Sequence, residues 1–364
     1  MGDAQLYIGV QLLNWQMAGM LIGGIIWGIV GDKKGRISVL FGSIFLYSAA
    51  NIANGFVHDI EVYSALRFIA GLGLAGELGA GITLVSEVMP KESRGWGTTI
   101  VATIGLLGAV VAALVANEFQ WRTAYFVGGG MGLVLLVLRI GVYESGMYRN
   151  ISGSHISKGN FLMLLSDKKR FFKFIKCILV GLPTWFVVGV LITFSDKFAE
   201  ALGVTGKINP ANSVMYAYIG IVVGDFVSGT MSQLLRSRKK VILIFITMNV
   251  IVIFLYLFVN SFGEVYFYFL CGMLGFANGY WAVFVTNASE QFGTNLRATV
   301  TTTTPNFIRG TTVPLTLSFQ YLTGHTGIIY AAMIVAAIDL TIAYIAAIKT
   351  EETFGKDLDY VEVT

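Results

Sequence analysis

RFIAGLGLAGELGAGITLVSEVMPKESRG, residues Arg67–Gly95, contains a solitary carboxylate, Glu77, with nine uncharged residues on each side before Arg67 and Glu87. At roughly 1.5 Å of helical rise per residue, those neighbouring charges lie about 15 Å away in either direction. The spacing matches a hydrocarbon core of roughly 30 Å, with Arg67 and Glu87 near the two faces and Glu77 near the middle. An ionisable side chain at that depth is costly, and by default it marks a transport pathway or a proton relay.

The rest of the chain has the same character. A mean hydropathy of +0.72, 13% charged residues and 26 Phe exclude a soluble globule. Hydropathy predicts an all-α polytopic membrane protein with eleven spans, at 11–30, 37–57, 62–86, 97–117, 122–142, 171–195, 212–235, 241–262, 264–287, 299–322 and 326–348. The 43 Gly residues suit helices that approach closely in lipid. With the N-terminus outside and the C-terminus in the cytoplasm, only Arg122, Lys197 and Lys207 fall on the outer side, and Arg67, Arg139 and Arg309 fall inside spans. Every other Lys and Arg is then cytoplasmic, as the positive-inside rule requires. The net charge of +4 therefore reports topology and not affinity for nucleic acid.

Cys177 and Cys271 both fall in spans, so no disulfide framework is expected. His58, His155 and His325 are read as loop residues far apart in sequence, with no metal-ligand spacing. No cofactor is implied beyond protons as a coupling ion. The first apolar segment is too long for a cleavable signal peptide.

A polar segment at 146–170 divides the chain into an N-terminal bundle, 1–145, and a C-terminal bundle, 171–348, followed by a cytoplasmic tail, 349–364. The two bundles read as copies. Glu87 and Arg94 are echoed by Glu290 and Arg297 at the same spacing, and in that register Gly76 matches Gly279. Gly28-x-x-x-Asp32 has a degraded counterpart in Gly229-x-x-x-Gln233, followed by Arg236, Arg238, Lys239 and Lys240. Parallel repeats joined by such a linker are a transporter architecture.

Gly28-Ile-Val-Gly-Asp32-Lys33-Lys-Gly35-Arg36 resembles the signature loop of the major facilitator superfamily. Arg67-x-x-x-Gly71-x-Gly73 and Glu87-x-x-Pro90-x-x-x-Arg94-Gly95 resemble its fourth-helix patterns, in the branch of sugar and metabolite:proton symporters. Gly76–Gly81 and the end Glu352-Thr-Phe-Gly-Lys-Asp-Leu-Asp-Tyr are similar to the same branch. The resemblance implies two pseudo-symmetric bundles in the plasma (inner) membrane, acting as a monomer on a small-molecule substrate, a carboxylate or a sugar. It also implies twelve spans with the signature loop after the second. One span precedes Asp32 here, so the first helix is expected to be missing, which points to an incomplete gene model.

Several residues are candidates for chemistry. Glu77 is the first choice for proton coupling, because low dielectric favours its neutral form; the bland reading is a neutral Glu hydrogen-bonded in helix packing. On a straight helix it cannot reach Arg67, so a charged Glu77 needs a partner from another helix. Arg309 lies about ten residues into its span, with Asn306 and Thr302 on the same face. Its planar fork suits a substrate carboxylate, and a fixed ion pair with Asp225 is the alternative. Asp225, on a polar face with Tyr218, Ser228 and Ser232, is a second proton site or that partner. Structural pairing is expected for Asp339 and Arg139. Asn278, Tyr280 and Trp281, with Arg67, complete a candidate substrate cavity, although such aromatics often only pack. Pro183-Thr-Trp185 is expected to kink its helix.

The family resemblance implies a cytoplasmic latch of Asp32, Lys33, Arg36, Glu87, Arg94, Glu290 and Arg297 that parts when the inner mouth opens. The function these observations favour is proton-coupled symport of a small organic anion by alternating access. The alternatives are a drug-efflux antiporter, disfavoured because Gly105–Val111 lacks a Pro, and a non-transporting paralogue or sensor. No nucleophile–base pair or metal set supports an enzyme.

Overall fold

A computed structural model describes residues 3–141, 143–152, 157–258 and 262–362. The first half comprises α1 (Asp3–Lys34), α2 (Arg36–Phe56), α3 (Ile60–Val88), α4 (Arg94–Glu118) and α5 (Trp121–Leu138). Two short helices, α6 (Gly146–Ser152) and α7 (Phe161–Ser166), occupy the linker. The second half comprises α8 (Lys168–Leu179), α9 (Leu182–Phe186) with a π-helical stretch at Val187–Ile192, α10 (Ser195–Ala201), α11 (Pro210–Leu234), α12 (Arg238–Phe258), α13 (Glu264–Ala277), α14 (Trp281–Glu290), α15 (Arg297–Gly310), α16 (Thr312–Thr326) and α17 (Ile328–Lys349).

Among the described residues, ten spans are long and apolar enough to cross a bilayer. The eleventh that hydropathy predicts, 299–322, is present but divided between α15 and α16. Pro314 causes the division: its ring clashes with the carbonyl four residues back, Gly310, where α15 stops. Pro183 acts in the same way on Leu179, the last residue of α8, so the expected kink is a true break. A third interruption separates α13 from α14 at Gly279, whose missing side chain lets α11 pass at Gly224 in van der Waals contact. His325 belongs to the last turn of α16 and not to a loop; His58 does lie in a loop, and His155 is outside the described residues.

Broken helices leave amides and carbonyls without intrahelical partners, and in a membrane each must be satisfied by protein. The Tyr280 hydroxyl donates to the carbonyl of Val180 at 2.9 Å. Asn249 Nδ2 donates to the carbonyl of Ala277 at 2.8 Å, and Asn278 Nδ2 donates to Asn249 Oδ1 at 2.7 Å. At the start of α14, Asp225 Oδ1 accepts from the amide of Ala282 at 2.7 Å. These side chains hold the ends of the breaks in place.

The two halves meet along glycine-lined seams. α1 lies against α15, where Gly28 faces Thr299; α4 lies against α11, where Gly229 faces Thr99. A Cβ on either glycine would come within 2.8 Å of a carbon of the facing threonine, so only glycine permits the approach. On α15, Thr299 and Thr301–Thr304 are all buried, with Thr299 against Gly28 and Thr302 against Gly79.

Candidate functional site

One end of the bundle gathers Arg36, Arg94, Arg238 and Arg297, all buried, with Lys33, Lys34, Arg236 and Lys240 exposed around them. At this basic end each half caps a helix of the other. The residue preceding α15 is Leu296, which has no side-chain acceptor for the first-turn amides. Asp32 of α1 supplies it: Oδ1 accepts from Ala298 N at 3.0 Å, and Oδ2 accepts from Thr299 N at 2.9 Å and Thr299 Oγ1 at 2.7 Å. In the other direction Ser93, preceding α4, makes no side-chain cap. Gln233 of α11, with its amide oxygen turned toward them, accepts from Gly95 N at 3.3 Å and Trp96 N at 2.9 Å. Both acceptors reach the second and third amides of their helix, where the dipole favours negative charge.

Ion pairs repeat the symmetry and then break it. Arg36 Nη2 meets Glu87 Oε1 at 2.7 Å, and Arg238 Nη2 meets Glu290 Oε1 at 3.3 Å. Arg297 crosses to the other half and reaches Glu87 Oε1 at 3.0 Å, while Ser145 Oγ donates to Glu87 Oε2 at 2.5 Å. Arg94, its repeat counterpart, closes no such pair: its Nε and Nη1 lack hydrogen-bond partners among the described residues. Lys33, in the last turn of α1, is exposed, and no ion pair among the described residues includes it. Of the seven expected gate residues, Asp32, Arg36, Glu87 and Arg297 form one cluster and Glu290 a second with Arg238, which the spacing pattern left unassigned.

The tail docks on the same end. Glu352 accepts from Arg238 N at 2.9 Å, from Lys239 N at 3.3 Å and from the Ser237 hydroxyl, so it caps α12. Burial pushes its carboxyl up, but the Ser237 hydroxyl and the amides of Phe354, Arg238 and Thr353 outweigh it, and the net direction is down. Thr353 Oγ1 donates to Glu290 Oε2 at 2.7 Å, and Arg297 Nη2 donates to the Leu358 carbonyl at 2.5 Å.

Midway along the seam, Asn306 joins the halves: Nδ2 donates to the Ala75 carbonyl of α3 at 2.8 Å and to Thr302 O at 2.7 Å. Its Oδ1 accepts from Arg309 Nη1 at 3.0 Å, so Asn306 orients the guanidinium and has no free donor for a ligand. Arg309 also lies over the Trp281 ring, 5.3 Å from its centre. Among the described residues no carboxylate is within ion-pair distance of it. Trp185 of α9 packs against the Met17–Met20–Ala75 cluster of the first half, and its Nε1 is buried with no acceptor among the described residues. Sequence reading treated Trp185 only as part of a kink; a Trp just past a helix-breaking Pro was the available signal.

Other expected site residues lie elsewhere. Glu77 is paired with Arg139 at the end of α5, Oε1 to Nη1 at 2.5 Å, each side chain about a quarter exposed (27% and 26%). It is two residues from both Ala75 and Gly79, which face α15, and at about 100° per residue it points to the opposite side of α3. Glu77 thus has the partner from another helix that a charged carboxylate there requires, and it lies away from Arg309. The ion pair with Arg309 that was one alternative for Asp225 is absent among the described residues: Asp225 is fully buried, accepts from the amide of Ala282 and accepts on its other oxygen from Thr103 Oγ1 at 3.4 Å. Asn278 and Tyr280 are likewise committed to the helix breaks and are not available to line a cavity. Arg67 lies over Tyr125 of α5 at 5.8 Å, and no hydrogen bond or ion pair among the described residues brings it to the Arg309 cluster. Asp339, expected to be paired, has no partner among the described residues.

Long apolar helices, two halves capping each other and a seam interrupted at mid-depth define a multi-pass integral membrane protein built from two related bundles. The chain belongs to the Major Facilitator Superfamily, whose sequence profile matches residues 4–305. It is similar to the niacin transporter NiaP of Acinetobacter baylyi, 26% identical over 94% of this chain and 85% of that protein. It is also similar to the cis,cis-muconate transport protein of the same organism, 26% identical over 89% and 81%. Among solved structures it resembles the fucose:proton symporter FucP of E. coli, with a TM-score of 0.70 at 14% identity over 96% of this chain and 99% of that one.

Proposed function

We propose that this protein is a secondary active transporter that moves a small organic anion across the plasma (inner) membrane by alternating access, driven by protons. The observation that carries the reading is Arg309, a mid-span guanidinium without a carboxylate partner among the described residues. A cation in that position costs roughly 2.5–3.5 kcal/mol on insertion scales. A substrate carboxylate accepting two N–H bonds from its fork offsets that cost, and Asn306 and Trp281 already hold the fork in place. Trp281 gives the site a flat aromatic face, which suits a planar or unsaturated acid. The names of the niacin and muconate relatives agree with that substrate class.

The basic end faces the cytoplasm by the positive-inside rule; its reciprocal caps and ion pairs support reading it as the closed end, with substrate admitted from the opposite side. Rocking the halves apart at the basic end must break the Asp32 and Gln233 caps together with the Arg297–Glu87 pair. Coupling belongs to Glu77 and Arg139: protonating Glu77 removes the only ion pair joining α3 to α5 among the described residues. The substrate and the surrounding bilayer are then the only partners needed, and a monomer suffices.

The test is uptake by protein reconstituted in liposomes. Radiolabelled monocarboxylates should accumulate when the exterior is acidified, and Arg309→Gln should raise KM by roughly tenfold or more, with Arg309→Lys restoring little. Carboxylate uptake of normal KM in Arg309→Gln, or uptake of sugars but no acids, would overturn the reading.

A further inference from the structure

Away from the seam, the second half holds a cavity of about 730 Å³ between α16 and α17, with Leu182 of α9 among its lining. Its walls are apolar, from Pro314, Leu315, Ile334 and Ile338. Leu317, Tyr321 and Ile338 at its edge are each more than half exposed, and on a membrane-spanning pair of helices that exposure is to lipid. The cavity therefore opens sideways into the bilayer.

Asp339 also lines this cavity. It stands eleven residues from the start of α17 and ten from its end, so it lies about 15 Å from either face. Its side chain is 3% exposed, yet neither Oδ1 nor Oδ2 has a hydrogen-bond partner among the described residues. The mid-span charged groups Glu77, Asp225 and Arg309 are engaged, by Arg139, a helix start and Asn306 respectively. Two orphaned carboxylate oxygens in hydrocarbon cost several kcal/mol unless something donates to them.

We propose that this cavity binds an amphipathic amine, with its apolar body between α16 and α17 and its ammonium on Asp339. An ammonium brings three donors and a positive charge to the two unpaired oxygens. The volume is that of a small-molecule site. Charge excludes fatty acids and other anions. Depth excludes an aminophospholipid headgroup, whose ammonium is tethered to a phosphate that stays at the interface about 15 Å away. The ligand is thus a free amine that enters from the lipid, and the site selects a charge opposite to the one that suits Arg309.

The experiment uses the full chain in lipid nanodiscs with two photoreactive probes, a diazirine-bearing decylamine and the alcohol of the same chain length. The amine should label peptides of α16 and α17 at a concentration roughly tenfold or more below the alcohol, with Asp339→Asn abolishing the difference and Asp339→Glu retaining it. Ser318→Phe, which fills the mouth and leaves the carboxylate in place, should weaken amine labelling as well. Equal labelling by amine and alcohol in the unaltered protein, or undiminished amine labelling in Asp339→Asn, overturns the proposal. The comparison between probes needs no variant, so a misfolded variant does not blunt it.

Discussion

Asp32 of α1 and Gln233 of α11 stand at equivalent positions of the two repeats and cap helices in opposite halves, Asp32 on α15 and Gln233 on α4. Closure of the basic end is therefore a reciprocal exchange of helix caps, strengthened by charge on one side only. The asymmetry extends to the ion pairs, since Arg297 crosses to Glu87 and Arg94 makes no equivalent crossing.

Asp32→Asn keeps one acceptor oxygen and loses the charge, so one buried amide of Ala298 or Thr299 is left unpaired. The closed basic end should lose roughly 1–3 kcal/mol, and Gln233→Ala should cost less, about 1 kcal/mol. Reactivity of Thr302→Cys toward a thiol reagent reads the opening, since Thr302 is buried in the seam. A larger effect from Gln233→Ala than from Asp32→Asn would reverse the assigned hierarchy.

Gly79 is a conformation-specific lever. A Cβ there would overlap Thr302 of the other half, a clash that exists only while the basic end is shut. Overpacking of this kind costs about 1–3 kcal/mol, so Gly79→Val should favour the opened end. Spin labels at Lys34→Cys and Arg236→Cys, both exposed at that end, should show a longer distance distribution; an unchanged distribution counts against a rigid seam.

Glu77→Gln and Arg139→Gln should each abolish acceleration of uptake by external acid while leaving substrate binding within a few-fold of normal. Because the two side chains act as a unit, the double variant should be no worse than either single one, with a coupling energy of roughly 0.5–3 kcal/mol. Proton-driven accumulation that persists in Glu77→Gln would falsify the coupling role.

The docked tail should depend on pH. The Glu352 carboxyl is held below its ordinary value when folded, so its contribution is complete above the unfolded carboxylate range. It is lost as pH falls through the lower folded value. Protection factors at the Thr353 and Phe354 amides, taken relative to the intrinsic exchange rate at each pH, should fall on acidification below about pH 4.5, and Glu352→Gln should show low protection already at neutral pH. Protection that rises as the solution is made acidic contradicts the assigned sign.

Much of the architecture was legible in the chain because its causes are local. Span positions follow from apolar length, the break after Leu179 from Pro183, and the repeat from the recurrence of Glu87 and Arg94 at Glu290 and Arg297. The degraded echo of Asp32 in Gln233 was also visible, though its capping role was not. The division at Gly310 was missed because the hydropathy of 299–322 averages over a Pro effect that acts on one carbonyl. Asn278 and Tyr280 read as cavity residues because amides and aromatics look alike whether they meet a ligand or a neighbouring backbone.

The sequence by itself determined a helical membrane protein of two repeats, with a basic end and ionisable groups at mid-depth, since burial of apolar length and placement of Lys and Arg depend on composition along one strand of chain. Only the tertiary structure decided which of those groups are spent. Glu77 turned to Arg139, Asp225 to a helix start, Arg309 was left with an amide and a ring, and Asp339 was left with no hydrogen-bond partner among the described residues. A charge in low dielectric is governed by whatever lies within a few ångströms of it. Apart from Asn306, which the spacing already placed on the face of Arg309, those neighbours come from helices tens of residues away, which no spacing along the chain can report.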